Sequence, residues 1–291
     1  MPELPEVEVT RRKIAPKLVG RTIARVHTTG ESYFFLTPPA ELRRRLKGRE
    51  FSALDRQGKY LLATLNDGSR LLLHLGMTGQ LFVQGSSSLR LLSSTSRATL
   101  KPEAQTEFKP DGHTHLRLAF DDGGPEVWFR DVRKFGKVLW IAPGESDSRL
   151  DKLGVDALLA TGDILWQASR KRTVAAKNLI LDQSILAGVG NIYADESLFL
   201  SGVRPTRRAG KLTRAECDAL AANIVRVMQR SIETGGSSIS DYISPDGEDG
   251  AYQDERMAYA RTGEPCKVCG TLIKRIVVGQ RGTHFCPVCQ K

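Results

Sequence analysis

Four cysteines near the end of the chain constrain its fold more than any other feature. In "CKVCGTLIKRIVVGQRGTHFCPVC", Cys266 and Cys269 form one CxxC pair and Cys286 and Cys289 a second, with sixteen residues between them. Each pair can place two thiolates on one metal, and the spacing is that of a four-cysteine zinc site on a hairpin ribbon. Two disulfides are the alternative. The first fifteen residues mix acids and bases with no apolar stretch, which argues against a secretory signal and for a reducing cytoplasm. One structural zinc is therefore expected, closed off by four protein ligands. Its role would be to stiffen the hairpin carrying Lys274, Arg275 and Arg281, not to catalyse. Cys217 lies apart in a helical stretch and reads as a buried structural thiol.

At 291 residues the chain exceeds the commonest domain size, which predicts two domains with a small appendix. The longest apolar runs, "SRLLLHLGM" and "GKVLWIAP", are too short to span a bilayer, so a soluble protein without membrane partners is expected. A formal net charge of +10 favours a polyanionic partner. Residues 261 to 291 hold six Lys and Arg against Glu264 alone, half of that surplus in about a tenth of the chain.

The period of the apolar residues changes along the sequence. "PEVEVTRRKIAPKLVG" reads as a helix with Pro5 at its first position and Gly20 at its stop, kinked or shortened by Pro16. Residues 20 to 141 then give eight short β-branched and aromatic runs separated by turn signals such as "NDG" and "DDGG", an antiparallel sandwich. Within it, residues 85 to 112 are rich in Ser, Thr and Lys and read as a long loop. From about 150 to 235 the period is helical, through "GDILWQASRKRTVAAKNLILDQ", "NIYADESLFLSG" and "TRAECDALAANIVRVMQRSIETGG". The fold class is α+β.

Several motifs could carry chemistry. In "ILAGVGNIYADESLF", Gly188 and Gly190 permit a tight backbone and Asn191 suits an N-cap, so the helix start offers amides to a phosphate; simple helix-to-helix connectivity is the other reading. In "HLGMTGQL" and "FRDVRKFGKV", His74, Met77, Arg133 and Phe135 could form a rim where an apolar wedge fills the gap left by an extruded base. Two hairpin turns with Met77 and Phe135 in the core are the plainer alternative. His113 and His115 should share a strand face, by default a solvated one. Pro2 beside Glu3 would, once Met1 is removed, expose a secondary amine whose pKa lies far below that of lysine. Such an amine can attack an aldehyde-like carbon and form an iminium ion, an electron sink that invites elimination. An inert chain end would be spelled the same way.

Taken together, "MPELPEVE", "GKYLL", "HLGMTG", "RKFG", "GVGNIYADESLF" and the terminal "CPVCQK" resemble the bacterial formamidopyrimidine-DNA glycosylase family over residues 1 to 291. The resemblance implies a helix and β-sandwich over 1–145, a helix-two-turn-helix domain over 146–255 and a zinc finger over 256–291. It also implies a monomeric cytoplasmic enzyme, associated with the nucleoid through DNA. Its partner would be double-stranded DNA containing oxidised purines, 8-oxoguanine and formamidopyrimidines, whose abasic sites it nicks by β- and δ-elimination. Pro2 matches the nucleophile, Glu3 the acid assisting sugar-ring opening, Lys59, placed on an exposed Gly58 turn, the lysine assisting β-elimination, and Arg281 the arginine linked to phosphate gripping and δ-elimination. His113, Arg133, Lys171 and Asn191 fall at DNA contacts, and Met77, Arg133 and Phe135 at the void-filling trio. Two rivals remain: an endonuclease VIII-like glycosylase for oxidised pyrimidines, against which Leu4 argues, and a non-catalytic zinc-ribbon DNA-binding protein, against which Pro2, Glu3 and Lys59 argue. The chain departs from the family pattern at Val132 and Lys134, where "DVRKFG" replaces the frequent "DPRRFG", and in the greater length of the 85–112 loop; "SSISDYISPDGEDGAYQ", where the family closes on the flipped base, is a variable stretch that spells out no lesion preference.

Overall fold

The computed structural model describes residues 2–87, 108–238 and 242–291, so most of the expected loop at 85–112 lies outside the described residues. The chain divides into two compact units: Met1–Asp147 with Gly235–Ala251, and Ser148–Thr234 with Tyr252–Lys291. None of the described helices is long and apolar enough to cross a membrane.

The first unit opens with α1 (Leu4–Leu18), N-capped by Glu3 in a capping box with Glu6. Pro5 therefore sits at the second helical position, one later than expected. Pro16 was expected to kink or shorten the helix, but the element runs on to Leu18. In the last turn the missing proline N–H forfeits only one bond, and Gly20, at φ 80°, marks the stop. There follow β1 (Ile23–Thr28), α2 (Pro39–Leu46), β2 (Phe51–Gln57), β3 (Tyr60–Leu65), β4 (Arg70–His74), β5 (Gly79–Val83), β6 (Thr114–Phe120), β7 (Val127–Asp131) and β8 (Lys137–Ile141). The strands form two antiparallel sheets, ordered β1-β6-β7-β5 and β2-β3-β4-β8. Val7, Ile14 and Leu18 of α1 join Phe34, Phe51, Leu61, Leu73, Leu118 and Phe129 in one core. Each such side chain contributes about 1.5–3 kcal/mol by leaving water. The helix α2 escapes the sequence pattern because three consecutive arginines obscure its narrow buried face, Leu42 and Leu46.

A smaller apolar cluster, Phe82, Phe108, Trp128 and Ile243, fixes part of the 242–251 segment to β5 and β7. Lys13 of α1 pairs with Asp246 at 2.9 Å and Glu248 at 2.6 Å. Gly250 passes so close to Gly236 that a Cβ there would lie 2.2 Å from the Gly236 carbonyl oxygen.

The second unit contains α3 (Ser148–Asp151), β9 (Val155–Asp156), α4 (Gly162–Ser169), α5 (Ala176–Leu181), β10 (Leu186–Ala187), α6 (Asn191–Leu200), α7 (Arg214–Glu233), α8 (Tyr252–Glu255) and the hairpin β11 (Lys274–Val278)–β12 (Arg281–Phe285). The helical run from 162 breaks after Ser169, with Lys171 in the left-handed region at φ 60°. The short parallel pair β9–β10 carries no periodic signal. In α7, a Thr213–Glu216 capping box starts a helix that buries Leu220, Ile224, Val227 and Met228 along one stripe. Buried Glu196 accepts the backbone N–H groups of Met257, Ala258 and Tyr259 at 2.7, 2.9 and 2.7 Å, tying α6 to the approach to the cysteine module.

Candidate active site and nucleic-acid interface

Pro2 and Glu3 are buried at the start of α1. The Glu3 N–H donates to Glu6 Oε2 at 2.8 Å, and the other oxygen of that carboxylate, Oε1, accepts from the Ser237 N–H at 2.9 Å. One buried side chain thus ties the peptide bearing Pro2 to a segment 231 residues later in sequence. Lys59 follows Gly58 in the two-residue loop between β2 and β3, where Gln57 faces Tyr60. It is not exposed as the sequence suggested: only 9 % of its surface is accessible. Arg56 connects this loop to α1, donating to the Gly58 carbonyl at 2.9 Å and to Glu8 Oε2 at 3.1 Å. His74 lies across the ladder from Tyr60, with ring centroids 4.8 Å apart. Burial, reinforced by the cations of Lys59 and Lys137, pushes its imidazole down to about 4.

The two glycine-flanked turns meet in a rim on the same unit. Gly76, at φ 64°, lets them touch: a Cβ there would come within 2.5 Å of the Gly136 nitrogen and the Phe135 carbonyl carbon. Beneath them, fully buried Asp131 accepts from the Gly136 N–H at 2.7 Å, the Arg133 N–H at 3.2 Å and the Thr78 hydroxyl. Met77 and Phe135 are 38 % and 41 % exposed, so the reading that placed them in the core is corrected. Large apolar side chains held at the surface by a buried carboxylate can wedge between bases. His113 is half-buried, and its carbonyl accepts the Asp131 N–H at 2.9 Å. His115 is buried, which overturns the solvated-face default. Its Nε2–H donates to the Asp131 carbonyl at 2.9 Å, which leaves Nδ1 to accept from the Thr29 hydroxyl at 3.1 Å. A register shift between Thr114 and Leu116 breaks the expected alternation there.

On the second unit, Gly190 is the N-cap of α6 and Asn191 its first residue, one later than the expected capping position. The Asn191 amide nitrogen donates to the Gly282 carbonyl at 2.9 Å, linking the helix start to the hairpin that presents exposed Arg281. The same carbonyl accepts from Lys177 Nζ at 3.2 Å. Lys177, fully buried, also bonds Asp195 at 2.6 Å and the Thr283 hydroxyl at 2.9 Å, and Asp195 in turn holds the His284 N–H at 2.8 Å. Lys171 is exposed at the break after α4. The reading from sequence missed Lys177, Asp195 and Glu6. Only Glu6 left a trace, the acid three residues after an N-cap.

The four cysteine Sγ atoms lie within 4.8 Å of one another, with Cys266 and Cys289 3.9 Å apart and Cys269 and Cys286 3.5 Å apart. A tetrahedron with metal–sulfur arms of about 2.3 Å has edges of about 3.8 Å, so the residues fit one structural zinc. The Val268 and Cys289 N–H groups each donate to a cysteine sulfur at 3.4 Å, which would satisfy part of the thiolate charge.

Comparison with known proteins agrees with this architecture. Residues 1–138 match the formamidopyrimidine-DNA glycosylase N-terminal domain, residues 153–243 the H2TH domain of the same family, and residues 263–291 a zinc finger found in FPG and IleRS. A formamidopyrimidine-DNA glycosylase of Polynucleobacter necessarius is 41 % identical over 301 residues, covering all of both chains. Among solved structures, the MutM (FPG) protein of Thermus thermophilus is 34 % identical with a TM-score of 0.83, covering 99 % of this chain and 98 % of its own. The Lactococcus lactis Fpg in complex with an abasic site containing DNA is 33 % identical with a TM-score of 0.84, covering all of both chains. The fold and site are therefore those of a helix-two-turn-helix, zinc-finger protein with a β-sandwich N-terminal domain. The chain belongs to the formamidopyrimidine-DNA glycosylase family.

Proposed function

We propose that the protein is a bifunctional DNA glycosylase and abasic-site lyase acting in base excision repair on oxidised purines in duplex DNA. The observation that carries this reading is the buried Pro2–Glu3 pair at the cap of α1, held there by Glu6. After removal of Met1, the Pro2 nitrogen attacks C1′ of the damaged nucleotide. The glycosidic bond breaks, its electron pair leaves with the base, and Glu3 protonates the sugar ring oxygen as the ring opens to an iminium ion. The iminium acidifies C2′; loss of that proton expels the 3′ phosphate, and a second elimination expels the 5′ phosphate. Water then releases Pro2 from the remaining fragment. Lys59 serves the first elimination and Arg281 grips phosphate for the second. Met77, Arg133 and Phe135 fill the gap left by the extruded base, while His74, His113, Lys171 and Asn191 bind the backbone. In this reading the working parts are 1–145, 146–255 and 256–291, the enzyme is a cytoplasmic monomer, and the zinc stiffens the hairpin bearing Arg281.

Borohydride trapping on an 8-oxoguanine:cytosine duplex tests the assignment. The mature protein should be captured covalently and should cleave the strand, whereas Pro2→Gly and a form with extra residues ahead of Pro2 should lose trapping sharply. Normal trapping by the extended form would remove Pro2 as the nucleophile. A parallel duplex carrying thymine glycol separates this reading from the oxidised-pyrimidine alternative.

A further inference from the structure

The Arg133–Phe135 turn is held from below by Asp131, yet it also has an upper support that no sequence motif marks. Tyr33 is 57 % exposed, but its neighbours fix it. Phe34 is fully buried against Phe129 at 4.9 Å between ring centroids. The Phe34 carbonyl accepts the Val138 N–H at 3.0 Å, and the Leu36 N–H donates to the Val138 carbonyl at 2.9 Å. The strand segment immediately after the rim turn therefore sets the place of Tyr33. From there its hydroxyl donates to the Arg133 carbonyl at 2.6 Å, and its ring stands 6.5 Å from that of Phe135. Lys137 Nζ lies 4.9 Å from the Tyr33 ring centre, and the Arg133 guanidinium 4.6 Å from the Phe135 ring. Within this turn Lys134 occupies the left-handed region at φ 58°, a conformation a non-glycine residue keeps only where its surroundings impose it.

We propose that Tyr33 is a positioning residue for opposite-base recognition: its hydroxyl pins the Arg133 carbonyl and its ring backs Phe135, which sets the arginine in register with the base left unpaired. The proposal rests on the wedge role given to Arg133 and Phe135 above. A hydroxyl that fixes only a backbone carbonyl cannot touch the reacting sugar. Its loss should therefore change which partner base is accepted more than it changes the chemistry.

The test compares Tyr33→Phe and Tyr33→Ala with the parent in single-turnover excision of 8-oxoguanine opposite cytosine and opposite adenine. Tyr33→Phe keeps the ring and removes the pin. It should lower the cytosine-over-adenine rate ratio by about two- to fivefold, the worth of one modest hydrogen bond. Tyr33→Ala should lower the ratio further. A ratio unchanged in Tyr33→Phe, or rates reduced equally on both duplexes, would overturn the proposal. The same ratio, read as Kd for duplexes carrying a tetrahydrofuran abasic analogue opposite cytosine or adenine, tests the pin without requiring catalysis. If the parent excises nothing, the functional reading fails while this binding ratio still decides the role of Tyr33.

Discussion

His74 shows how far a residue's environment can override its type. An imidazole held near 4 by burial and by the cations of Lys59 and Lys137 is neutral throughout the ordinary working range. It can donate one hydrogen bond to a phosphate but adds no charge. His74→Gln should therefore weaken binding of abasic-analogue DNA by roughly tenfold, about the worth of one hydrogen bond to an ionised group. The shape of the pH–rate profile between pH 5.5 and 8 should not change. An acid limb present in the parent and absent from the variant would show that His74 does titrate there. Burial is also where residue-level reading went astray. Lys59 and His115 are buried because their surroundings come from elsewhere in the chain, and Met77 and Phe135 are exposed because Asp131 holds their turns outward. Composition carries none of this, since a side chain's fate depends on neighbours that the local sequence does not contain.

Single elements were more legible. The eight described strands of the sandwich announced themselves as short apolar runs between turn signals, and α7 by its helical period. The breaks were harder to see: Lys171 in a left-handed turn looks like any lysine in a helical run. The clearest prediction at this scale concerns α1. Burial alone would raise the Glu8 carboxyl, but Arg11, Arg12 and Arg56 outweigh it and hold it down at about 2. A depressed carboxylate contributes stability above its unfolded pKa and loses it as pH falls. Glu8→Gln should thus lower stability at pH 7 by roughly 1–3 kcal/mol in urea unfolding, less than a fully buried pair would. The gap to the parent should narrow as pH drops from about 4.5 towards about 2. A gap independent of pH would mean that the three arginines do not act through the charge on Glu8.

For the molecule as a whole, the cysteine spacing and the motif order disclosed the architecture, and the net charge of +10 pointed to a polyanionic partner. The internal anchors stayed hidden because they join residues far apart in sequence, as Lys177 and Glu6 do. Binding to duplex DNA should fall linearly in log–log form with salt, at a slope of roughly −0.9 per phosphate contact. Filter binding between 50 and 200 mM salt would measure this slope, and a flat line would exclude phosphate neutralisation as the main source of affinity. The two-ended grip of Glu6 also sets an order in time. Its partner Ser237 is made 231 residues after it. At about 5–20 residues per second, Glu6 waits roughly 10–50 seconds for Ser237 during synthesis. Through that interval the cap of α1 lacks its second tether, so the end bearing Pro2, proposed above as the nucleophile, is completed only when most helices of the second unit have already been made.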